Sequence, residues 1–175
     1  MPKNIEIKAR VRDAAALEAA VRAVHAGEPE RIPQEDLFYA CPTGWLKLRV
    51  LAGDRGQLVH YARDAGAGPR ASRYAIAPTS DPAALARILS AALAPLGAVR
   101  KLRRLFLVGQ TRVHLDRVEG LGDFLELEVV LRDGQPEEEG IAIARDLMRR
   151  FGVEESDLVG ETYFELLHAA GAGPG

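Results

Sequence analysis

The sequence predicts an α+β fold: an eight-stranded, antiparallel, closed β-barrel with helices packed on the outside. Eight runs of residues alternate between apolar and polar side chains, as half-buried strands do. Turn-rich stretches such as CPTG and AGDRG separate most of these runs, which is typical of antiparallel neighbours. Carboxylates concentrate on the polar faces of the first and last runs, and closing the sheet would make those two strands neighbours and remove its exposed edges.

The individual elements follow from alternation and from helix-capping signals. Strands are predicted at 4–12, 35–40, 45–51, 57–63, 71–77, 99–109, 111–118 and 123–132. Helices are predicted at 13–26, at 80–93, at 136–152 and, for a short final helix, at 161–170. Asp13 is the expected N-cap of the first helix, and Pro82 lies in the first turn of the second. We expect a single domain over 1–170 and a flexible tail over 171–175.

Length and composition fit a soluble globular domain. The 175 residues are 47% apolar and 27% charged, which is enough for a hydrophobic core. The net charge of −2 argues against a general nucleic-acid or membrane-surface binder. The single cysteine, Cys41, excludes an internal disulfide, and no apolar run resembles a membrane span or a signal peptide. We therefore expect a cytoplasmic protein, and the oligomeric state stays open between a monomer and a homodimer.

Basic side chains share one face across about five strands. The alternation groups Lys47, Arg49, Arg63, Arg73, Lys101, Arg103 and Arg112. For any one strand, the ordinary interpretation is an open sheet whose polar face meets water. Such a sheet would gain from scattering its charges, because like charges that face each other across a ladder are destabilising. Inside a closed barrel the same groups would bind a polyanion with several oxygens, which arginine forks hold well.

The carboxylates complement this basic set. Glu6, Glu126 and Glu128 cluster on the terminal strands, and Asp116 shares the polar face of its own strand. Several carboxylates on one wall favour a hard cation, Mg²⁺ or Mn²⁺, that is shared with phosphate oxygens. A triphosphate with its metal would satisfy both sets of charges, so the pattern indicates metal-assisted phosphoryl chemistry.

The order of these motifs resembles the CYTH family, also called triphosphate tunnel metalloenzymes, which includes class IV adenylate cyclases and thiamine-triphosphatase-like enzymes. The resemblance lies in NIEIKAR at 4–10, LKLR at 46–49, YAR at 61–63, SRY at 72–74, RKLR at 100–103, TRVHLD at 111–116 and FLELE at 124–128. It implies catalytic metal ligands at Glu6, Glu126 and Glu128, assisted by Asp116. It also implies a triphosphate cradle formed by Lys8, Arg10, Lys47, Arg49, Arg63, Arg73, Lys101, Arg103 and Arg112.

Three further positions bear on this assignment. His114 faces the cradle and is expected either to contact a nucleotide or a carboxylate, or to be a plain hydrogen-bonded histidine. Tyr163 is expected either to pack or to help a C-terminal helix close one end of the tunnel. Asn4 stands where the Glu-x-Glu-x-Lys signature of the family has its first glutamate. A neutral amide there should weaken a second metal site.

The resemblance leaves the reaction open. The motifs NIEIKAR, TRVHLD and FLELE look closest to the class IV adenylate cyclases, which favours conversion of ATP to cyclic AMP and pyrophosphate. Hydrolysis of inorganic triphosphate or of another small organic triphosphate is the alternative, since both reactions need the same cradle. Asn4 indicates a second alternative, a non-catalytic module that binds nucleotide or polyphosphate. A plain structural domain is a third.

Overall fold

In the computed structural model, which describes residues 3–169 and 171, eight antiparallel strands close into a barrel. The strands are β1 (Lys3–Arg10), β2 (Glu30–Tyr39), β3 (Trp45–Leu51), β4 (Arg55–Arg63), β5 (Arg70–Thr79), β6 (Pro95–Val108), β7 (Thr111–Val118) and β8 (Gly122–Val130). Their order around the barrel is β1-β5-β4-β3-β2-β6-β7-β8. The first and last strands pair with each other, so the predicted closed sheet is confirmed.

The helices lie outside the barrel. They are α1 (Ala14–Arg22), α2 (Pro82–Ala92), α3 (Glu137–Arg150), α4 (Tyr163–Ala169) and a 3₁₀ helix (Glu155–Asp157). All four predicted helices are confirmed, although α1 ends at Arg22, earlier than expected. Beyond its end, Nδ1 of His25 lies 2.9 Å from the carbonyl oxygen of Leu107 on β6. No helix among the described residues is long and apolar enough to cross a membrane. The predicted tail at 171–175 lies, apart from Gly171, outside the described residues.

The apolar faces of the strands point outward and form the core with the helices. Ile7 of β1 and Leu125 and Leu127 of β8 are buried in one cluster with Leu17 and Val21 of α1. Complete burial of each such side chain contributes roughly 1.5–3 kcal/mol. Because the side chains of a strand alternate between its two faces, packing these residues outward places their polar neighbours inside the barrel.

The N-cap of α1 provides a local test of the fold. The carboxylate of Asp13 accepts hydrogen bonds from the backbone N–H groups of Ala15 and Ala16, both at 3.0 Å. Asp13→Ala leaves these donors without their acceptor, so the free energy of unfolding in urea should fall by about 1 kcal/mol. Asp133→Ala, which changes an exposed aspartate in the turn after β8, should change it by less than about 0.5 kcal/mol. Equal effects of the two variants would contradict a capping role.

Candidate functional site

The barrel encloses a cavity of about 470 Å³ to which all eight strands contribute side chains. This volume lies within the range of roughly 300–1,000 Å³ that is usual for small-molecule sites. Its walls bring together predicted residues of both signs: Glu6, Lys8, Lys47, Arg49, Arg63, Lys101, Arg103, Arg112, His114, Glu126 and Glu128. The inward direction predicted for these side chains is confirmed.

Two arginines predicted for the cradle lie outside the cavity. On β5 the inward side chain is Tyr74, so Arg73 points to the outer surface, where its Nη1 lies 3.6 Å from Oδ1 of Asp64. Arg10 is the exposed last residue of β1, and its guanidinium lies 5.3 Å from the centre of the Phe124 ring. The structure therefore places these two arginines outside the cavity, where the sequence analysis expected them to belong to the triphosphate cradle.

Three side chains on β7 and β8 form a candidate cation group. Ligand atoms of His114, Glu126 and Glu128 all lie within 4.8 Å of one another. Nδ1 of His114 is 3.8 Å from Oε2 of Glu126 and 3.9 Å from Oε1 of Glu128, which is too far for hydrogen bonds. Carboxylate and imidazole are both common ligands of divalent cations. The predicted pair of glutamates is thus brought together, and the histidine joins it.

The surroundings keep both glutamates ionised. Burial alone would raise the pKa of Glu126, but the charges of Lys101 and Arg103 hold it well below its usual range. Burial would also raise the pKa of Glu128, but the charges of its basic neighbours, which include Arg112, lower it. Nη2 of Arg103 donates to Glu126 Oε2 at 2.6 Å, and Nε of Arg112 donates to Glu128 Oε2 at 2.9 Å. Each carboxylate is therefore a charged acceptor that an arginine holds in place.

Glu6 faces the same wall from β1, but it stands apart from the group of three. It pairs directly opposite Glu128, and its Oε1 accepts a hydrogen bond from Nη1 of Arg63 at 3.2 Å. Burial raises the pKa of Glu6, and the nearby charges of Glu128 and Glu126 add to this effect against the opposing charge of Arg63. The structure therefore places Glu6 as a neighbour of the candidate cation group.

Asn4 supports an arginine instead of extending the carboxylate cluster. In the amide orientation that satisfies both of its ends, its side-chain oxygen accepts from Nη2 of Arg112 at 3.2 Å and its nitrogen donates to the Lys3 carbonyl at 3.3 Å. Arg112 in turn donates to Glu128. The amide of Asn4 thus helps to position Arg112, a basic residue of the cradle, and adds no negative charge to the wall of the cavity.

Asp116 serves the basic side chains and lies outside the candidate cation group. Its oxygens accept hydrogen bonds from Lys101 at 3.0 Å, from Arg103 at 2.8 and 2.6 Å, and from the Tyr163 hydroxyl at 3.1 Å. Burial alone would raise the pKa of Asp116, but Arg103 and Lys101 hold it well below its usual range. These donors occupy its acceptor sites, so in this structure Asp116 orients Lys101 and Arg103. Its expected assistance at the metal stays a prediction.

Asp36 has the equivalent role on β2, and the sequence analysis missed it. It is 2% exposed and accepts hydrogen bonds from Nζ of Lys47 at 2.6 Å and Nε of Arg49 at 3.0 Å. Burial alone would raise its pKa, but Arg49 and Lys47 hold it far below the usual range. The alternation of β2, which puts Gln34, Asp36 and Phe38 inside, was the signal that could have revealed it.

The segment around α4 closes one end of the cavity. The ring of Tyr163 lies 4.1 Å from Nζ of Lys8 and 4.7 Å from Nζ of Lys101, as in cation–π contacts. Lys8 also donates to the carbonyl oxygen of Glu161 at 3.0 Å. Tyr163 is itself buried in the cluster around Phe38. Tyr163 therefore both packs in the hydrophobic cluster and closes one end of the cavity, the two roles that the sequence left open.

The opposite end of the cavity combines apolar and polar side chains. Four apolar residues, one each from β2, β3, β5 and β6, lie there beside Glu30, Arg31, Arg55 and Gln57; they are Ile32, Leu51, Ile76 and Leu105. Ile76 is 46% exposed, an unusual position for a large apolar residue of a strand. An apolar wall beside a charged interior suits a ligand with a polyanionic part and an organic part.

Comparison with known proteins agrees with this architecture. The CYTH domain family model matches residues 2–163. The PH1012 protein from Pyrococcus horikoshii OT3 is similar over 93% of this chain and 98% of its own, with a TM-score of 0.83 and 24% identity. A candidate adenylate cyclase from Vibrio parahaemolyticus is similar over 94% of this chain and 97% of its own, with a TM-score of 0.77 and 23% identity.

HpAC1 from Hippeastrum, a candidate adenylyl cyclase described as having a dominant triphosphatase activity, is also similar. The likeness covers 97% of this chain and 96% of HpAC1, with a TM-score of 0.71 and 15% identity. No curated protein matches the sequence. At these identities the solved structures support the fold, and the argument for function depends on the site.

Proposed function

Since the chain belongs to the CYTH domain family, we propose that it binds a triphosphate inside the barrel and processes it with the help of a divalent cation. The observation that carries this proposal is a cavity in which basic side chains from five strands lie with the ionised pair Glu126 and Glu128. Arginine and lysine match the oxygens of a triphosphate. The glutamate pair, with His114 beside it, offers oxygen and nitrogen ligands to Mg²⁺ or Mn²⁺.

The residues around the cavity favour a rigid cradle. Asp116 holds Lys101 and Arg103, and Asp36 holds Lys47 and Arg49, so the donors are in place before a ligand arrives. Such prearranged donors stabilise charge that develops during phosphoryl transfer without further reorganisation. When bound, the cation would neutralise phosphate oxygens and orient the reacting groups.

We place conversion of ATP to cyclic AMP and pyrophosphate first among the possible reactions. The apolar side chains at the end opposite Tyr163 support a substrate with an organic group, since inorganic triphosphate offers them no apolar contact; they are Ile32, Leu51, Ile76 and Leu105. In this reaction the 3′-hydroxyl of ATP attacks the α-phosphorus, the bond to the α,β-bridging oxygen breaks, and pyrophosphate leaves. The proton of the hydroxyl passes to a base or to water.

Hydrolysis of the terminal phosphate is the second candidate. The observation that favours it is the end closed by Tyr163, next to Lys8 and Lys101. A linear triphosphate alone could occupy that charged, blind end. Water would then attack the terminal phosphorus, the bond to the β,γ-bridging oxygen would break, and the diphosphate would leave, so that the attacked phosphorus ends as orthophosphate; the reaction uses the same cradle.

Product analysis with ATP and tripolyphosphate side by side, each with Mg²⁺ or Mn²⁺, tests the proposal. Cyclic AMP with pyrophosphate would support the cyclase, and orthophosphate the triphosphatase. If neither forms while tripolyphosphate raises the melting temperature, the protein is a binding module. Arg49→Ala should reduce that rise in melting temperature, and Arg73→Ala, on the outer surface, should leave it unchanged. The lack of any rise in the unaltered protein would contradict a triphosphate site.

Triphosphate binding should also take up protons at alkaline pH. Burial lowers the pKa of Lys47 to about 7 and that of Lys8 to about 8, so both amines are partly neutral in the free protein at about pH 8. A bound polyanion favours their charged forms, so the affinity should fall as the pH rises from about 7 to about 9. Calorimetry with tripolyphosphate in buffers of different ionisation enthalpy measures the uptake.

A matched variant tests the source of these protons. Lys47→Arg keeps a cation at the same position, and arginine stays charged throughout this pH range. The variant should therefore bind tripolyphosphate with less proton uptake than the unaltered protein. Identical uptake in the two proteins would show that Lys47 is not a source of the linkage.

A further inference from the structure

We propose that His114 is itself a metal ligand, and that the site consequently prefers Mn²⁺ and other first-row transition-metal cations to Mg²⁺. This inference depends on the proposed function to the extent that it requires a divalent cation in the barrel. It goes further by assigning a nitrogen ligand and a metal preference to the site.

The first argument is a buried ring nitrogen that lacks a partner. His114 is 4% exposed, and its Nδ1 has no hydrogen-bond partner among the described residues. Leaving such an atom unsatisfied is costly, so buried polar atoms in proteins are nearly always paired. Here Nδ1 is directed at the two glutamates across the small space that the three side chains enclose. A cation in that space would satisfy it.

The second argument is the spacing of the candidate ligand atoms. Arg103 and Arg112 each occupy the Oε2 atom of one glutamate, so Oε1 of Glu126 and Oε1 of Glu128 accept no hydrogen bond from the described residues. Nδ1 of His114 lies 3.9 Å from Oε1 of Glu128 and 3.8 Å from Oε2 of Glu126, the oxygen that also accepts from Arg103. Oε1 of Glu126 lies 3.7 Å from Nζ of Lys8. Two ligands that are each about 2.1 Å from one cation are separated by roughly 3–4 Å. The three side chains thus have the separation of ligands that share an ion.

The third argument is the set of ligand types on this wall, which has the neutral amide of Asn4 and the imidazole of His114 in addition to the glutamates. The side chain of Asn4 faces the cavity and accepts a hydrogen bond from Arg112. Position 4 of β1 therefore contributes a neutral amide to the wall and no carboxylate. Mg²⁺ takes oxygen ligands and gains little from imidazole. Transition-metal dications bind nitrogen with affinity that rises from Mn²⁺ through Fe²⁺ and Co²⁺ to Ni²⁺. Two carboxylates with one imidazole should therefore discriminate against Mg²⁺ more strongly than carboxylates alone.

Pulsed electron paramagnetic resonance on the full chain loaded with one equivalent of Mn²⁺ tests the assignment directly. The spectrum should show coupling to a coordinated ¹⁴N nucleus, and labelling the histidines with ¹⁵N should replace it by the ¹⁵N pattern. This comparison requires no substitution and is independent of turnover. His114→Gln should abolish the coupling. His60→Gln, which removes a histidine whose Nε2 lies 2.8 Å from the Thr43 carbonyl oxygen, should preserve it.

Metal affinities supply a second readout. The unaltered protein should bind Mn²⁺ at least about tenfold more tightly than Mg²⁺, and Co²⁺ more tightly still. His114→Gln should lower the Mn²⁺ affinity at least about tenfold while changing the Mg²⁺ affinity less than about threefold. His114→Asp, which adds a carboxylate, should bring the two affinities closer together. Mn²⁺ binding without any nitrogen coupling would overturn the inference and leave the proposed function standing. No binding of Mn²⁺, even with tripolyphosphate present, would overturn both.

Discussion

Glu128→Gln should lower metal-dependent turnover of the triphosphate at least about 100-fold. Oε1 of Glu128 lies 3.9 Å from Nδ1 of His114, and its Oε2 accepts from Arg112 at 2.9 Å. Glutamine keeps the size of the side chain but removes the charge that attracts a cation, and its amide offers only one oxygen to share between Arg112 and the metal. Steady-state kcat/KM with whichever triphosphate the product analysis identifies is the measurement.

A carboxylate on the outer surface supplies the matched control. Glu35 pairs with the exposed Arg100 at 3.0 Å on the face of β2 that points away from the cavity, and Glu35→Gln should leave turnover within about twofold. Glu128→Gln should also unfold cooperatively, because the charged wall is not part of the hydrophobic core. If the Glu128 variant keeps turnover within about threefold of the unaltered protein, this glutamate is not a catalytic residue.

Arg103→Met should lower the free energy of unfolding by about 3–5 kcal/mol. The guanidinium donates to Asp116 at 2.8 and 2.6 Å and to Glu126 at 2.6 Å, and the side chain is only 6% exposed. Methionine fills much of the volume but leaves two buried carboxylates with Lys101 as their main remaining partner. Removing one member of a buried ionic network costs far more than breaking a surface pair, because the remaining charges lose their compensation.

Arg117→Met is the corresponding surface experiment. Arg117 forms a fork to Asp123 at 3.0 and 3.3 Å, but its side chain is 73% exposed, so its loss should cost less than about 1 kcal/mol. Urea denaturation at neutral pH compares the two variants.

The loss in free energy of unfolding caused by Arg103→Met should also depend on pH. Asp116 and Glu126 have lowered pKa values in the unaltered protein, so their contribution to stability is present above about pH 4 and is lost as the pH falls further. In the variant these carboxylates can take up protons, and the difference between the two proteins should shrink towards acid. A deficit that is small at neutral pH, or equal at every pH, would contradict a buried ionic network.

Alternation predicted most of the barrel because each strand buries one face and keeps its charges on the other. It predicted β3 and β7 with the boundaries that the structure has. The predicted runs for β2 and β6 start too late. Pro33 interrupts the alternation in β2, and Pro95 and Gly97 interrupt it in β6. In the structure β2 pairs with β6 along its whole length, from Glu30 to Tyr39. Pairing with a neighbouring strand can thus extend a strand into residues whose own sequence disfavours it.

The site was harder to predict than the fold, because alternation does not say which face of a short strand is inside. On β5 an arginine and a tyrosine are adjacent, and the structure turns Tyr74 inward and Arg73 outward. Internal counter-ions were also missed. Whether Asp36 meets Lys47 and Arg49 depends on the register of β2 against β3, which pairs Asp36 with Arg49 and which a single sequence does not specify.

The pairing of β1 with both β5 and β8 links the site to the folding reaction. The wall that carries Glu6, His114, Glu126 and Glu128 needs β1, β7 and β8 together, and nearly the whole chain separates β1 from β8. Closing so long a loop is entropically costly, and proteins dominated by such distant contacts fold in milliseconds to seconds, slower than helical bundles. Until that closure, the edges of β5 and β8 are open to pairing with another chain. The consecutive strands β7 and β8 bring His114, Glu126 and Glu128 together by themselves, whereas Glu6 joins this wall only when β1 pairs with β8.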